Sequence, residues 1–210
     1  MSLKNGYTFS WSLNNKTIME EARALETLKI ILKNRGVVDA NGFQQVANPA
    51  DETHMFTYGG VLVVFSEKTR VSERELNNLL AFATENDYSG GMIIVTPTRS
   101  SDSVLTALRR YVADTTQPLI QIFEMRHLQF DISAHRKQPK HRVMSVEETA
   151  AMLKEFHIPD VKRIPKIDCQ DPMAKWIGAR PGQVIEVLGL CETSGDNRRY
   201  RLCVESAADA

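Results

Sequence analysis

Apolar residues recur along this chain in two rhythms, one of three to four residues and one nearly continuous over four or five. Ile18, Ala22, Leu25, Leu28 and Leu32 repeat at helical spacing, and Gly36 stops the run. This predicts a helix after a polar, Asn-rich start over residues 1–14 that reads as loose. Residues 37–51 are short on pattern, and Asn48-Pro49 marks a turn. Residues 54–58 and 61–65 flank Gly59-Gly60, a two-residue pair suited to a tight hairpin. The run Val61-Leu62-Val63-Val64-Phe65 has no polar alternation, so it reads as a strand buried on both faces.

The alternation continues beyond that hairpin. Ser72 with Glu75 forms a capping box, and the helix it opens carries Leu76, Leu79, Leu80 and Phe82 to about Asn86. Residues 92–95 form a second buried strand, stopped by Pro97. A polar loop over 98–102 leads to a helix over 104–112 with Leu105, Leu108 and Tyr111 inward. Residues 119–123 and 128–132 are two further strand-like runs. Strands alternating with helices predict an α/β first domain with partly parallel strands. The charged segment 135–142, which contains Pro139 and lacks apolar period, predicts the boundary between domains 1–136 and 137–210.

The second domain reads as small and α+β. Residues 143–144 form a short strand. Ser145 with Glu148 is a second capping box, opening a helix through Phe156 with Ala150, Met152, Leu153 and Phe156 inward. Asp171-Pro172 is a helix start, because Asp accepts first-turn amides and Pro at the first position loses no bond. Gly178 ends that short helix, and Pro181-Gly182 turns the chain into a strand over 183–188. A polar loop over 192–197 precedes a returning strand over 200–204.

Composition narrows the picture. The 210 residues are 42% hydrophobic and 25% charged, with 26 basic and 26 acidic side chains and no formal net charge. A protein that binds nucleic acid alone is usually basic, so contact with DNA is expected only within a larger assembly. No apolar run approaches the ~20 residues of a membrane span, and the N-terminus lacks the apolar core of a signal peptide. Cys169, Cys191 and Cys203 are odd in number and show no paired spacing, which fits a reduced setting.

Several combined motifs carry a family resemblance. They are Pro139-Lys140-His141, Pro165-Lys166-Ile167, the stretch from Asp171-Pro172 to Gly178, Gly182-Gln183-Val184-Ile185, Glu192-Thr193-Ser194-Gly195 and Tyr200-Arg201. Over roughly residues 128–204 the chain resembles the shared fifth subunit of eukaryotic nuclear DNA-dependent RNA polymerases. The C-terminal domain of that subunit is similar to a small subunit of the archaeal RNA polymerase. The resemblance implies an N-terminal jaw domain near downstream DNA and a C-terminal domain docked on the largest subunit. It implies a non-catalytic component of the transcription complex, without cofactor or metal, located in the nucleus, and in the nucleolus if specific to polymerase I. The implied assembly residues are Pro139, Lys140, His141, Asp171, Pro172, Glu192, Thr193, Ser194, Gly195, Tyr200 and Arg201. Arg99, Ser100 and Ser101 are the DNA-facing candidates, although the same residues also describe an ordinary helix-capping loop.

The remaining chemistry gives little. No His stands beside a cysteine in the sequence to activate it as a nucleophile. His135 and His141 lack the spacing of a helix-borne zinc pair, and His141 reads as a structural donor in its turn. The basic segment 136–142 reads as a solvated linker, a phosphate contact or a surface for an acidic partner. A small nuclease-like α/β enzyme is the rival reading, but Glu67, Glu124 and Asp131 form no paired-carboxylate motif. The chain departs from the family at Glu186 and Gly189, where the family is basic, at Cys191, where it has Ser, and at Asp196-Asn197. These changes predict a loss of positive charge from one face and point to a divergent or class-specific copy.

Overall fold

The computed structural model describes residues 7–46, 53–66, 68, 71–113, 116–191 and 195–205, with the backbone alone described at 7–17, 53, 113, 190 and 191. Expectations placed on Asn48-Pro49, on Glu67 and on Glu192, Thr193 and Ser194 lie outside the described residues. The chain is mixed α/β with two sheets. Its contacts separate two compact units, Met1–Ser101 with Ile122–Asp131, and Asp102–Gln121 with Ile132–Ala210. This grouping differs from a single boundary at 136/137, because residues 102–121 go with the later part of the chain. One tie within that second unit is the Arg180 guanidinium, whose Nη2 donates to the Gln117 carbonyl at 2.8 Å.

In the first unit, helix α1 (Tyr7–Asn34) starts well before the expected point, so the polar start is helical from residue 7. Its buried face is Ala24, Leu28, Ile31 and Leu32, whereas Ile18 is exposed. The apolar period thus runs further towards the N-terminus than the buried face does. Strands β1 (Gln44–Val46), β2 (Thr53–Tyr58) and β3 (Val61–Ser66) form an antiparallel meander. Tyr58 pairs with Val61 across a two-residue turn, and Gly59 and Gly60 both take positive φ, 54° and 79°. That conformation matches the twist of the flanking strands and is strained for any residue with a Cβ.

The Ser72–Glu75 capping box forms as expected and opens α2 (Glu73–Glu85). The helix links β3 to β4 (Gly91–Thr96), which runs parallel to β3. Residues 61–65 and 91–96 are all buried, as two-faced strands require. Helix α3 (Asp102–Ala113) follows, then β5 (Ile120–Glu124), which completes the sheet order β1-β2-β3-β4-β5. The line between the two units passes through β5. The strand expected over 128–132 does not form. Short 3-10 turns occupy Met125–Leu128 and Ile132–Ala134 instead, and the Gln129 amide holds the first turn by donating to the carbonyls of Met125 and Glu20, each at 3.1 Å.

The second unit is built on a four-stranded sheet in the order β6-β8-β9-β7. Strand β6 (Lys140–Val143) is antiparallel to β8 (Val184–Cys191), β8 is antiparallel to β9 (Gly195–Val204), and β7 (Lys166–Asp168) is parallel to β9. The end of the supposed linker, Lys140 to Arg142, is thus a paired edge strand. Alternation divides the sheet into two faces. On one, Met144, Val184 and Leu202 pack with Met152 and Leu153 of α4 (Val146–Glu155). On the other, Ile185, Val187 and Cys203 pack with Ala174 of α5 (Pro172–Trp176) and with Ala179. Of the side chains expected inward on α4, Met152 is buried, but Ala150 is exposed and Phe156, at the helix C-cap, is 53% exposed.

Both ends of α5 are specified locally. Asp171 Oδ1 accepts from the amides of Met173 (2.8 Å) and Ala174 (3.3 Å). At the other end Gly178 N donates to Lys175 O and Ala179 N to Ala174 O, with Gly178 at φ 72°. This paired closure satisfies two carbonyls that a helix end otherwise leaves open. Gly178→Ala is expected to lower stability by about 1–2 kcal/mol, the cost of a Cβ in the left-handed region. Urea unfolding checks it; an unchanged midpoint would show that the closure is not needed.

Candidate functional site

The period of two along a strand separates residues that are neighbours in sequence. His141 pairs with Val187, and Val187 pairs with Arg199; Ile185 pairs with Arg201. These residues share the α5 face. Lys140 pairs with Leu188 and Leu188 with Arg198, while Arg142 pairs with Glu186 and Glu186 with Tyr200. Those residues share the α4 face. The motifs Pro139-Lys140-His141 and Tyr200-Arg201 are therefore each split across the sheet. Tyr200 packs against the α4 cluster, with its ring centroid 5.7 Å from that of Phe156.

On the α5 face lies a groove of about 600 Å³. Five of the eleven expected assembly residues line it: Pro139, His141, Asp171, Pro172 and Arg201. Lys166 and Arg199, which sequence reasoning did not single out for assembly, line it too. The signal for Arg199 was available in the alternation of β9, where it sits two residues before Arg201. His141 Nδ1 lies 2.8 Å from the Pro139 carbonyl. A carbonyl only accepts, so Nδ1 carries the proton and donates, which fits the structural role expected of this histidine. Lys140 and Tyr200 are outside the groove, and Gly195 is exposed at the start of β9.

The α4 face holds a charge network that sequence reasoning missed. Glu186 is 5% exposed. Its Oε2 accepts from Arg142 Nε at 3.1 Å and Nη2 at 2.8 Å, and its Oε1 lies 3.1 Å from Arg198 Nε. Arg142 also donates through Nη1 to both oxygens of Glu148, each at 2.8 Å. Glu148 is the capping-box residue of α4, and the Ser145 amide and Arg142 together hold its carboxyl below the usual carboxylate range. The acid at 186 is thus neutralised by two guanidiniums. A Cβ built at Gly189 would lie 4.0 Å from Arg199 Nη2. A cation of the adjacent strand thus stands close to position 189.

Neither thiol among the described side chains is an activated nucleophile. Cys203 is fully buried beside α5, and burial pushes its pKa up to about 12; burial also raises that of Cys169. Both stay protonated near neutral pH, the reverse of an activated thiol. The side chain of Cys191 lies outside the described residues. Among the described residues no three His, Cys, Asp or Glu side chains are grouped to hold a metal ion, and no helix is long and apolar enough to cross a membrane. Of the DNA-facing candidates, Arg99 is exposed and Ser101 half-buried, but Ser100 is buried. The chain after β4 folds back, with Thr96 Oγ1 donating to the Thr98 carbonyl at 2.8 Å, and Ser100 is carried inward. Its hydroxyl is not presented to a ligand at the surface.

Residues 130–203, which contain all of the grooved sheet but its last residue, Val204, match the family model described as RNA polymerase Rpb5, C-terminal domain. The chain is 40% identical over 77 residues to DNA-directed RNA polymerase subunit Rpo5 of Thermococcus celer, covering 37% of this chain and 93% of that protein. The chain belongs to the Rpb5/Rpo5 family of RNA polymerase subunits. Similarity to longer family members extends further. The chain is 27% identical over 158 residues to the Caenorhabditis briggsae subunit RPABC1 of RNA polymerases I, II and III, spanning 75% of this chain and 68% of that one. It is also 27% identical over 144 residues to subunit 5B of RNA polymerases IV and V of Arabidopsis thaliana, spanning 69% and 63%.

The network around Glu186 makes a prediction that runs against family pattern. Glu186→Lys restores a basic residue there, yet it brings a third cation against Arg142 and Arg198. It is expected to destabilise the protein by about 2–4 kcal/mol, less than a fully buried broken pair because both arginines are half exposed. Chemical denaturation checks this; a variant as stable as the parent would show that the network contributes nothing.

Proposed function

We propose that this chain is a non-catalytic subunit of a nuclear DNA-directed RNA polymerase, held in the complex through the α5 face of its C-terminal sheet. The observation that carries the reading is the groove. Polar and turn residues of the family pattern converge there; Asp171, Pro172 and His141 also serve the local fold, but the Arg201 side chain does not. The Arg201 side chain makes no hydrogen bond to a described residue, whereas Arg142 and Arg198 on the other face are spent on Glu186. A guanidinium left open at a groove is suited to carboxylates or carbonyls of a partner. We assign the largest subunit as that partner and residues 137–210 as the assembly domain, a boundary supported by the start of the family match at residue 130. The preceding residues form the jaw, with Arg99 and Ser101 towards downstream DNA. The nuclease reading has no support among the relatives.

Affinity purification of the tagged full chain from its own cells, with mass spectrometry of the bound proteins, tests the reading. RNA polymerase subunits are expected. Arg201→Ala should reduce their recovery several-fold without changing the melting temperature of the isolated chain, and Arg99→Ala should leave recovery unchanged. Recovery of the chain without polymerase subunits would overturn the assignment.

A further inference from the structure

The groove has a chemistry of its own. Lys166, Arg199 and Arg201 all line it, and the side chain of none is hydrogen-bonded by a described residue. Arg199 and Arg201 stand two apart on β9 and leave the same face, so their spacing along the strand is about 6.8 Å. His141 adds a second ring nitrogen, since its Nδ1 is committed to Pro139. Asp171 is the one acid in the lining, and its Oδ1 is engaged by the first-turn amides of α5. Between these groups lie the apolar side chains of Pro139, Ile167, Met173 and Val187.

We propose that the groove receives an extended acidic segment of a partner subunit, with carboxylates at alternate positions. This rests on the assembly reading above and names the chemistry of what is bound. An extended chain repeats its side chains on one face at the same ~6.8 Å interval as the two arginines, so carboxylates two apart meet both guanidiniums in register. Charge complementarity selects acid over base. The apolar lining selects a polypeptide over a sugar–phosphate strand, which would expose charge to it along its length. The zero net charge of the chain points the same way.

The test uses the full chain and a fluorescein-labelled peptide, Glu-Val-Glu-Val-Glu, read by fluorescence anisotropy at low salt. A permuted peptide of the same composition, Glu-Glu-Val-Val-Glu, has no carboxylates two apart. The alternating peptide is expected to bind about five-fold tighter than the permuted one. The double variant Arg199→Glu/Arg201→Glu should lose about ten-fold in affinity, and Lys154→Glu on the opposite face should not change it. If the double variant melts early, Arg199→Glu alone, at an exposed position, should still lose about three-fold. No peptide binding, equal binding of the two peptides, unchanged affinity in the variants, or preference for duplex DNA overturns the proposal. Co-purification separates the two claims. If wild type recovers polymerase subunits and the double variant recovers them equally, only the groove proposal fails. If wild type recovers none, the assembly reading fails and the groove proposal with it.

Discussion

The pairing of β8 with β9 is the constraint on which the C-terminal unit depends. Once Ile185 stands opposite Arg201 and Glu186 opposite Tyr200, every second side chain is assigned to one face. A slip of one residue would bury Arg199 and Arg201 under α4 and turn Tyr200 and Leu202 towards α5. The buried residues on both sides hold the register. Val184 and Leu202 lock one face, and Ile185 and Cys203 lock the other. Charge reinforces it, because Glu186 of β8 reaches Arg198 of β9 in this alignment.

The consequence is a division of labour between arginines close in sequence. Arg198 neutralises a buried acid on the α4 face and serves the fold. Arg199 and Arg201 line the groove, where the assembly reading places a partner. Helix α5 is short. Capped by Asp171 and closed at Gly178, it packs on Ile185, Val187 and Cys203, and the groove runs beside it past His141, Arg199 and Arg201. Both departures lie beside arginines: the acid at 186 has Arg142 and Arg198 around it, and Gly189 stands beside Arg199.

Much of this was legible in the sequence where a local rule suffices. Both Ser-x-x-Glu capping boxes, the Gly59-Gly60 turn and the Asp171-Pro172 helix start each need only a few adjacent residues, and each formed as read. What failed depended on distant partners. Lys140 to Arg142 looks like a charged linker and becomes a strand only because β8 lies beside it. Residues 128–132 have strand-like composition, but Gln129 ties the preceding turn to α1 through Glu20. The acid at Glu186 could not be understood without the register that brings it two arginines. Five of the motif residues line one groove, but motif membership did not reveal which of two sheet faces each residue would occupy.

The central claim is that strand alternation assigns Arg199 and Arg201 to a partner and Arg198 to the fold. Arginine-specific modification read by mass spectrometry, on the free chain and on purified polymerase containing it, tests this directly. The account predicts that Arg199 and Arg201 react in the free chain and are protected on assembly, while Arg198 reacts to the same extent in both states. Protection of Arg198 with continued reactivity of Arg199 and Arg201 would contradict it.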